Sequence, residues 1–236
     1  MALILCIETG TDICSVGLVQ NGELISLRES DSGRDHAKKV AVYVDELLEQ
    51  NNLQPEELDA VAVGEGPGSY TGLRIGVSFA KGLCYGVGKP LIAVSSLASL
   101  TAVAMEDYEA GILDIDNWDN SLLCPMIDAR RMEVYSAIYD RALRPVRDIQ
   151  ADVVDADTYR QYLDSHPVYF FGNGAEKCMD VIAHPNAHLI KDIEPLAKNM
   201  FPLAEKKLMA GETEDVAYFV PFYLKDFVAI KPKKLL

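Results

Sequence analysis

Val61 to Val94 reads VAVGEGPGSYTGLRIGVSFAKGLCYGVGKPLIAV. A short apolar run from Ala60 to Val63 has the length and composition of a buried strand. A glycine-rich corner follows, Gly64-Glu65-Gly66-Pro67-Gly68-Ser69. A helical pattern then runs from Thr71 to Gly86, and a second apolar run from Pro90 to Val94. This is a β-loop-α-β unit, and its two strands are expected to be parallel neighbours.

A glycine-rich corner before a helix can cradle phosphate, because backbone N–H groups point outward there. The G-x-G-x-x-G pattern fails, since Gly64 and Gly66 are followed by Ser69 where the third glycine belongs. The P-loop pattern fails too, for no Gly-Lys-Ser/Thr follows the corner. Pro67 also removes a donor. The corner therefore reads as a tight turn feeding a helix that Ser69 or Thr71 caps.

Along that helix Gly72, Gly76 and Ala80 recur at four-residue spacing, and so do Ser78, Gly82 and Gly86. An interior glycine costs about 1 kcal/mol relative to alanine, so a close neighbour must offset Gly76 and Gly82. Two neighbours are open at this point: the parent sheet, or a partner subunit lying against a flat face. Arg74 and Lys81 interrupt the segment, which is not membrane-spanning.

The 236 residues suit one large domain or two of about 100–120. An apolar content of 49% supports a substantial core, and a net charge of −14 disfavours direct contact with nucleic acid or anionic membrane. Five cysteines without a C-x-x-C, mostly in apolar runs, fit a reduced protein. MALILCIE lacks the basic start and the apolar length of a signal peptide. A cytoplasmic location is the expectation.

In chain order, strands are expected at Leu3–Glu8, Ile13–Gln20 and Glu23–Ser30, with Asn21-Gly22 as a hairpin turn. A helix from Ala37 to Asn51 carries Val40, Val44, Leu47 and Leu48 on one stripe. After the central unit, Ser95 or Ser96 caps a helix reaching Glu106. An acidic stretch, Asp107 to Ser121, reads as a linker. A second cycle follows: strands at Leu122–Asp128, Met132–Tyr139, Val146–Gln150 and Val168–Phe171, and helices at Thr158–Leu163, Ala175–Ile182 and Leu196–Met209. The expected division is an N-terminal unit, 1–106, and a C-terminal unit, 107–236. The apolar tail from Val220 to Leu224 is expected to pack back on the body, ahead of a basic KPKK.

GPGSYTGLRIG at 66–76, AKGL at 80–83 and IDARRMEVYSAIY at 127–139 resemble the bacterial TsaB (YeaZ) family, and further matches reach both ends of the chain. The resemblance, with the β-β-β-α-β-α-β-α order, implies an α/β fold of the actin/hexokinase/Hsp70-like (ASKHA) kind. It implies an accessory, non-catalytic subunit, with no cofactor of its own. Its partner would be the catalytic subunit TsaD, joined by the ATPase TsaE. Their product is the threonylcarbamoyl group on adenosine 37 of tRNAs reading ANN codons. The docking face would be the Thr71–Gly86 and Ala37–Asn51 helices, with Gly72, Arg74, Ile75, Gly76, Phe79, Ala80, Val40 and Val44 as contacts. Alone, the chain would form a homodimer through the same face, and tRNA would be touched only indirectly.

An ATP-using member of the superfamily needs an acid after the first strand and a hairpin that holds phosphates. The strand here ends Ile7-Glu8-Thr9-Gly10, where related TsaB proteins usually read Asp-Thr-Ser. Glu8, Thr9 and Thr11 are thus candidates for weak nucleotide contact, against a polar turn with no ligand. They also carry the rival reading, a small ATP-dependent kinase or acyltransferase. TsaD proteins bind metal through paired histidines at helical spacing. Here His36 is followed four residues later by Val40, and His184 and His188 flank Pro185, so no metal site is expected. Asp128, Arg130 and Arg131 read as a hairpin turn with a local ion pair or as a contact surface.

Overall fold

The computed structural model describes residues 2–30 and 35–225; the basic KPKK lies outside the described residues. Two five-stranded mixed sheets form the frame. The first contains β1 (Leu3–Glu8), β2 (Ser15–Gln20), β3 (Glu23–Glu29), β4 (Ala60–Gly66) and β5 (Leu91–Ser95), in the order β3-β2-β1-β4-β5. β1, β2 and β3 are antiparallel, and β4 and β5 run parallel to β1. The second contains β6 (Leu122–Asp128), β7 (Glu133–Tyr139), β8 (Pro145–Val153), β9 (Val168–Phe171) and β10 (Ala187–Leu189), in the order β10-β9-β6-β7-β8. β6, β7 and β8 are antiparallel, while β9 and β10 are parallel to their neighbours. Read from β8, this is the first sheet's topology repeated, so the chain has the ASKHA-like fold.

Five α-helices lie among the described residues: α1 (His36–Gln50), α2 (Tyr70–Val87), α3 (Ser96–Glu109), α4 (Arg160–Leu163) and α5 (Phe201–Ala210). Ser69 caps α2, its hydroxyl accepting from Gly72 N at 3.3 Å. Ser95, not Ser96, caps α3. The expected helix at Ala175–Ile182 is a 3-10 turn at Glu176–Cys178, and Leu196–Met209 divides into a 3-10 turn, Ala197–Met200, and α5. β10 is too short, at three residues, for its periodicity to show.

The layers exchange between the two halves. α1 and α2 cover one face of the first sheet, where Val40, Val44 and Val77 meet Leu5, Ile7 and Val16. The opposite face is covered from the far end of the chain, by Ala197, Phe201 and Ala204 on Ile4, Cys6 and Val19. Conversely, Leu100 and Ala104 of α3 pack with Leu123 and Phe171 of the second sheet. The sheets lie on either side of residue 106, but their covering helices do not. Gly17 on β2 admits this crossing: a Cβ built there would sit 3.4 Å from the backbone nitrogen of Lys198.

After α5 the chain returns to the first unit. Phe222 N donates to Glu65 O at 2.8 Å, Lys81 Nζ donates to Phe219 O at 2.7 Å, and the Tyr70 and Tyr223 rings lie 5.0 Å apart. In the second unit Asp152 is buried and accepts from Ser136 Oγ (2.5 Å) and Tyr159 OH (2.9 Å), and it pairs with Arg147. Removing such a buried, hydrogen-bonded carboxylate is costly, because it leaves the buried Arg147 without its charge partner.

Candidate functional site: the turn after the first strand and the two faces of helix α2

The site is built where β1 ends. Glu8 and Thr9 have no exposed surface, and Thr11 is buried. Glu8 Oε1 accepts from Gly10 N at 2.7 Å, and Oε2 accepts from Ser96 Oγ at 2.9 Å. Burial pushes the Glu8 carboxyl above the ordinary carboxylate range, and these hydrogen bonds offset part of that rise. Thr9 Oγ1 donates to Gly72 O at 2.9 Å, in the first turn of α2. His36 Nε2 donates to Thr11 O at 2.9 Å, so this histidine fastens the turn.

Gly64, Gly68, Gly72 and Gly76 form a seat for that turn. A Cβ on Gly64 would overlap the Glu8 carboxylate, and one on Gly68 would overlap Gly10 O. Those on Gly72 and Gly76 would overlap Thr9 O and Thr9 Oγ1. Ser69 N then donates to Gly10 O at 2.7 Å, closing the corner over the turn. Ser69 N, Glu8 and Thr9 thus make their hydrogen bonds within the chain. Glu8, Thr9 and Thr11, the candidates for weak nucleotide contact, are buried in this conformation.

The departures at Glu8 and Gly10 belong together. A Cβ on Gly10 would come 3.0 Å from Glu8 Oε1, 3.3 Å from Leu73 Cδ2 and 3.4 Å from Ser96 Oγ. The longer carboxylic acid uses the space that the missing side chain leaves. The four-residue recurrence of Gly64, Gly68, Gly72 and Gly76 is the sequence signal for this seat.

The expected docking contacts divide in two. Gly72, Gly76 and Ala80 are buried against the chain's own turn and sheet, and Val40 and Val44 are in the core under α1. These five, expected as docking contacts, are enclosed within the monomer. Arg74 is exposed, and Ile75 and Phe79 are half-buried. The second small-residue series, Ser78, Gly82 and Gly86, is exposed, and nothing among the described residues lies within 4 Å of a Cβ built on either glycine. Tyr85, 85% exposed, stands beside it. Tyr70, Thr71, Arg74, Ile75 and Ser78 line a shallow depression at its N-terminal end.

Among the described residues no group of three or more His, Cys, Asp or Glu side chains is placed to hold a metal ion. His184 instead lies 3.5 Å from Asp164, and His188 stacks on Tyr169. Asp128 accepts from Arg130 N at 2.7 Å and pairs with Lys177, while Arg130 and Arg131 take positive φ values of 73° and 54° in the hairpin turn. No helix among the described residues is long and apolar enough to cross a membrane.

Residues 30–233 match the family model described as TsaD: tRNA N6-adenosine threonylcarbamoyltransferase. The Escherichia coli tRNA threonylcarbamoyladenosine biosynthesis protein TsaB is 30% identical over 97% of this chain and 96% of its own length. The Haemophilus influenzae protein of the same name is 36% identical over 56% of this chain, a match spanning 51% of that relative. Among solved structures, YeaZ from Pseudomonas aeruginosa superposes with a TM-score of 0.74 at 26% identity, covering 95% of this chain and 100% of that one. Full-length identity to a curated TsaB, with a shared fold across both sheets, makes this chain a member of the TsaB (YeaZ) family.

Proposed function

We propose that this chain is the accessory subunit of a tRNA threonylcarbamoyladenosine-forming assembly, binding and activating TsaD rather than performing the transfer. The observation that carries this reading is the filled turn. Where an ATP-using relative would leave a carboxylate and backbone donors free for phosphates, this chain buries Glu8 and seats Gly10 under the glycine corner. The net charge of −14 favours a role in which another subunit holds the tRNA.

The docking surface in this reading is the outward face of α2, with Arg74, Ile75, Phe79, Ser78, Gly82 and Gly86, flanked by the exposed Ala41 and Val42 of α1. Small residues let a second helix come close over a broad area. The same face serves homodimer formation when TsaD is absent, and TsaE joins the TsaD-bound form.

The test mixes the purified chain with its cognate TsaD and TsaE and measures threonylcarbamoylated tRNA with and without it. The expected result is modification that depends on this chain and is absent with this chain alone. Calorimetry of the isolated chain with Mg-ATP is expected to show no tight binding. Tight binding, or turnover by the chain unaided, would replace this reading with the kinase or acyltransferase one.

A further inference from the structure

The β6–β7 turn is made of residues that do not suit it. Arg130 and Arg131 both take left-handed backbone, with φ of 73° and 54°. Asn-Gly fits two such positions, and arginine is disfavoured at both. The surroundings hold the turn in place. Lys177 Nζ donates to Arg131 O and Glu133 O at 2.7 Å each and pairs with Asp128, so its three hydrogens are all used here. Asp128 Oδ1 accepts from Arg130 N at 2.7 Å, and Asn173 Oδ1 accepts from Asp128 N at 2.9 Å. None of these bonds uses a guanidinium. Both arginine side chains are exposed, and neither has a carboxylate partner among the described residues. Folding of the hairpin accounts for the lysine, the aspartate and the asparagine, but not for the two arginines.

The turn is one end of a cationic band in a chain of net charge −14. The other end is Arg74 on α2. Arg74 is exposed, donates to Tyr70 OH at 3.0 Å and lies 5.3 Å from the centroid of that ring. It too has no carboxylate partner among the described residues. Tyr70 meets Tyr223 in the segment 212–225, and the charge of Arg74 acts on the Tyr223 phenol. Lys225 follows two residues later, at most about 7 Å along the chain, and pairs with Glu133 next to the turn. Burial raises the Tyr135 phenol, and Lys225 and Arg130 both lower it, so the segment and the turn adjoin. The acids of the band are already matched: Asp128 by Lys177, Glu133 by Lys225. Lys207 offsets Glu65, whose carbonyl accepts from Phe222 N. Three guanidinium groups are left without an anion.

The chemistry of the band narrows the occupant. A guanidinium fork takes a carboxylate or a phosphate in two parallel hydrogen bonds. A nucleic-acid backbone needs a longer run of free cations, and a surface of net charge −14 repels it. A peptide needs only a few acidic residues, and it has apolar side chains for what lies between. Tyr218 is 83% exposed and Val220 65%, on the same segment. Arg74 also belongs to the proposed docking face of α2, so the two surfaces are continuous.

We propose that an acidic segment of the protein partner seated on α2 crosses residues 218–225, held by Arg74 at one end and by the Arg130-Arg131 turn at the other. This rests on the reading of α2 as the docking face for TsaD and adds a second, electrostatic contact from the C-terminal half of the chain.

The test is calorimetric titration of the full chain with its cognate TsaD at low and high salt. The double variant Arg130→Asn, Arg131→Gly gives the backbone the residues it favours and removes both guanidinium groups. It is expected to unfold in urea at or above the wild-type midpoint, yet to bind TsaD at least about tenfold more weakly and with a flatter salt dependence. The double variant Arg160→Gln, Lys206→Gln removes two exposed cations elsewhere and is expected to keep wild-type affinity. Equal loss in both double variants overturns the proposal, since net charge alone would then explain it. Wild-type affinity in the turn variant, with Gly82→Leu weakened, overturns the proposal and leaves the α2 face standing. No association of the wild-type chain with TsaD overturns both. Unchanged TsaD affinity with weaker retention of tRNA by the complex overturns it in favour of a nucleic-acid contact. If the turn variant fails to fold, Arg130→Gln, Arg131→Gln decides by the same readings.

Discussion

Helix α2 carries two series of small residues at the same four-residue spacing, and they serve opposite ends. Gly72, Gly76 and Ala80 face inward, and both glycines are small because Thr9 occupies the space a Cβ would need. Ser78, Gly82 and Gly86 face outward, and nothing among the described residues fills the space above the two glycines. Spacing alone assigns both series to a helix face; it does not say which neighbour each face meets. A glycine kept by a clash inside the monomer is a fold residue. A glycine with open space above it among the described residues is, in the proposed reading, kept for a partner.

The sharpest way to break this contrast is to fill each face in turn. Gly76→Leu must displace Thr9 and the first turn of α2 together. It is expected to destabilise the chain by about 3 kcal/mol or more, read by urea unfolding. A folded Gly76→Leu of wild-type stability would show that the inner face has slack. Gly82→Leu is expected to do the reverse. It gains up to about 1 kcal/mol of helix propensity, yet weakens association with TsaD at least about tenfold, or 1.4 kcal/mol, by a pull-down or calorimetric titration. Unchanged association would remove the outer series from the docking face.

A finer probe concerns the seated turn. Gly10→Ser pushes a side chain against Glu8, whereas Glu8→Asp vacates that space. The two changes together are expected to recover at least about 0.5 kcal/mol relative to the sum of the singles. Strict additivity in a double-mutant cycle would show that the two positions are independent.

The smallest effect is a pH dependence. Glu8's folded-state pKa is raised, chiefly by burial, so the folded chain holds this proton more firmly than the unfolded one. Its contribution is therefore fully present below the unfolded value, near 4.5, and is lost as pH rises through the folded value. Glu8→Gln, which resembles the protonated acid, should lack this decline. Urea unfolding from pH 4.5 to 8 should show the stability of the variant relative to wild type increasing with pH. A constant difference would mean that Glu8 ionises in the fold as it does in water.

Much of the frame was legible because period and punctuation are local. β6 and β9 were placed with their observed ends. The alternation of β7 sorted Val134 and Ile138 from Ala137 and Tyr139, which do pack on opposite sides. Less legible were the short 3-10 turns after β9 and before α5, where too few residues repeat for a period to emerge. The exchange of covering helices was also hidden, since the apolar residues of α3 and α5 do not name the sheet they cover.

The site divides along the same line. Sequence alone determined that α2 needs close neighbours, that no standard phosphate motif occupies the corner, and that the chain is strongly acidic. It did so because glycine cost, motif spacing and charge depend on residue type and order. Only the tertiary structure decided that Glu8 is enclosed and that Thr9 fills the space beside Gly72 and Gly76. Those facts depend on which distant segments meet, and a contact between residues more than sixty positions apart leaves no trace in either segment read by itself.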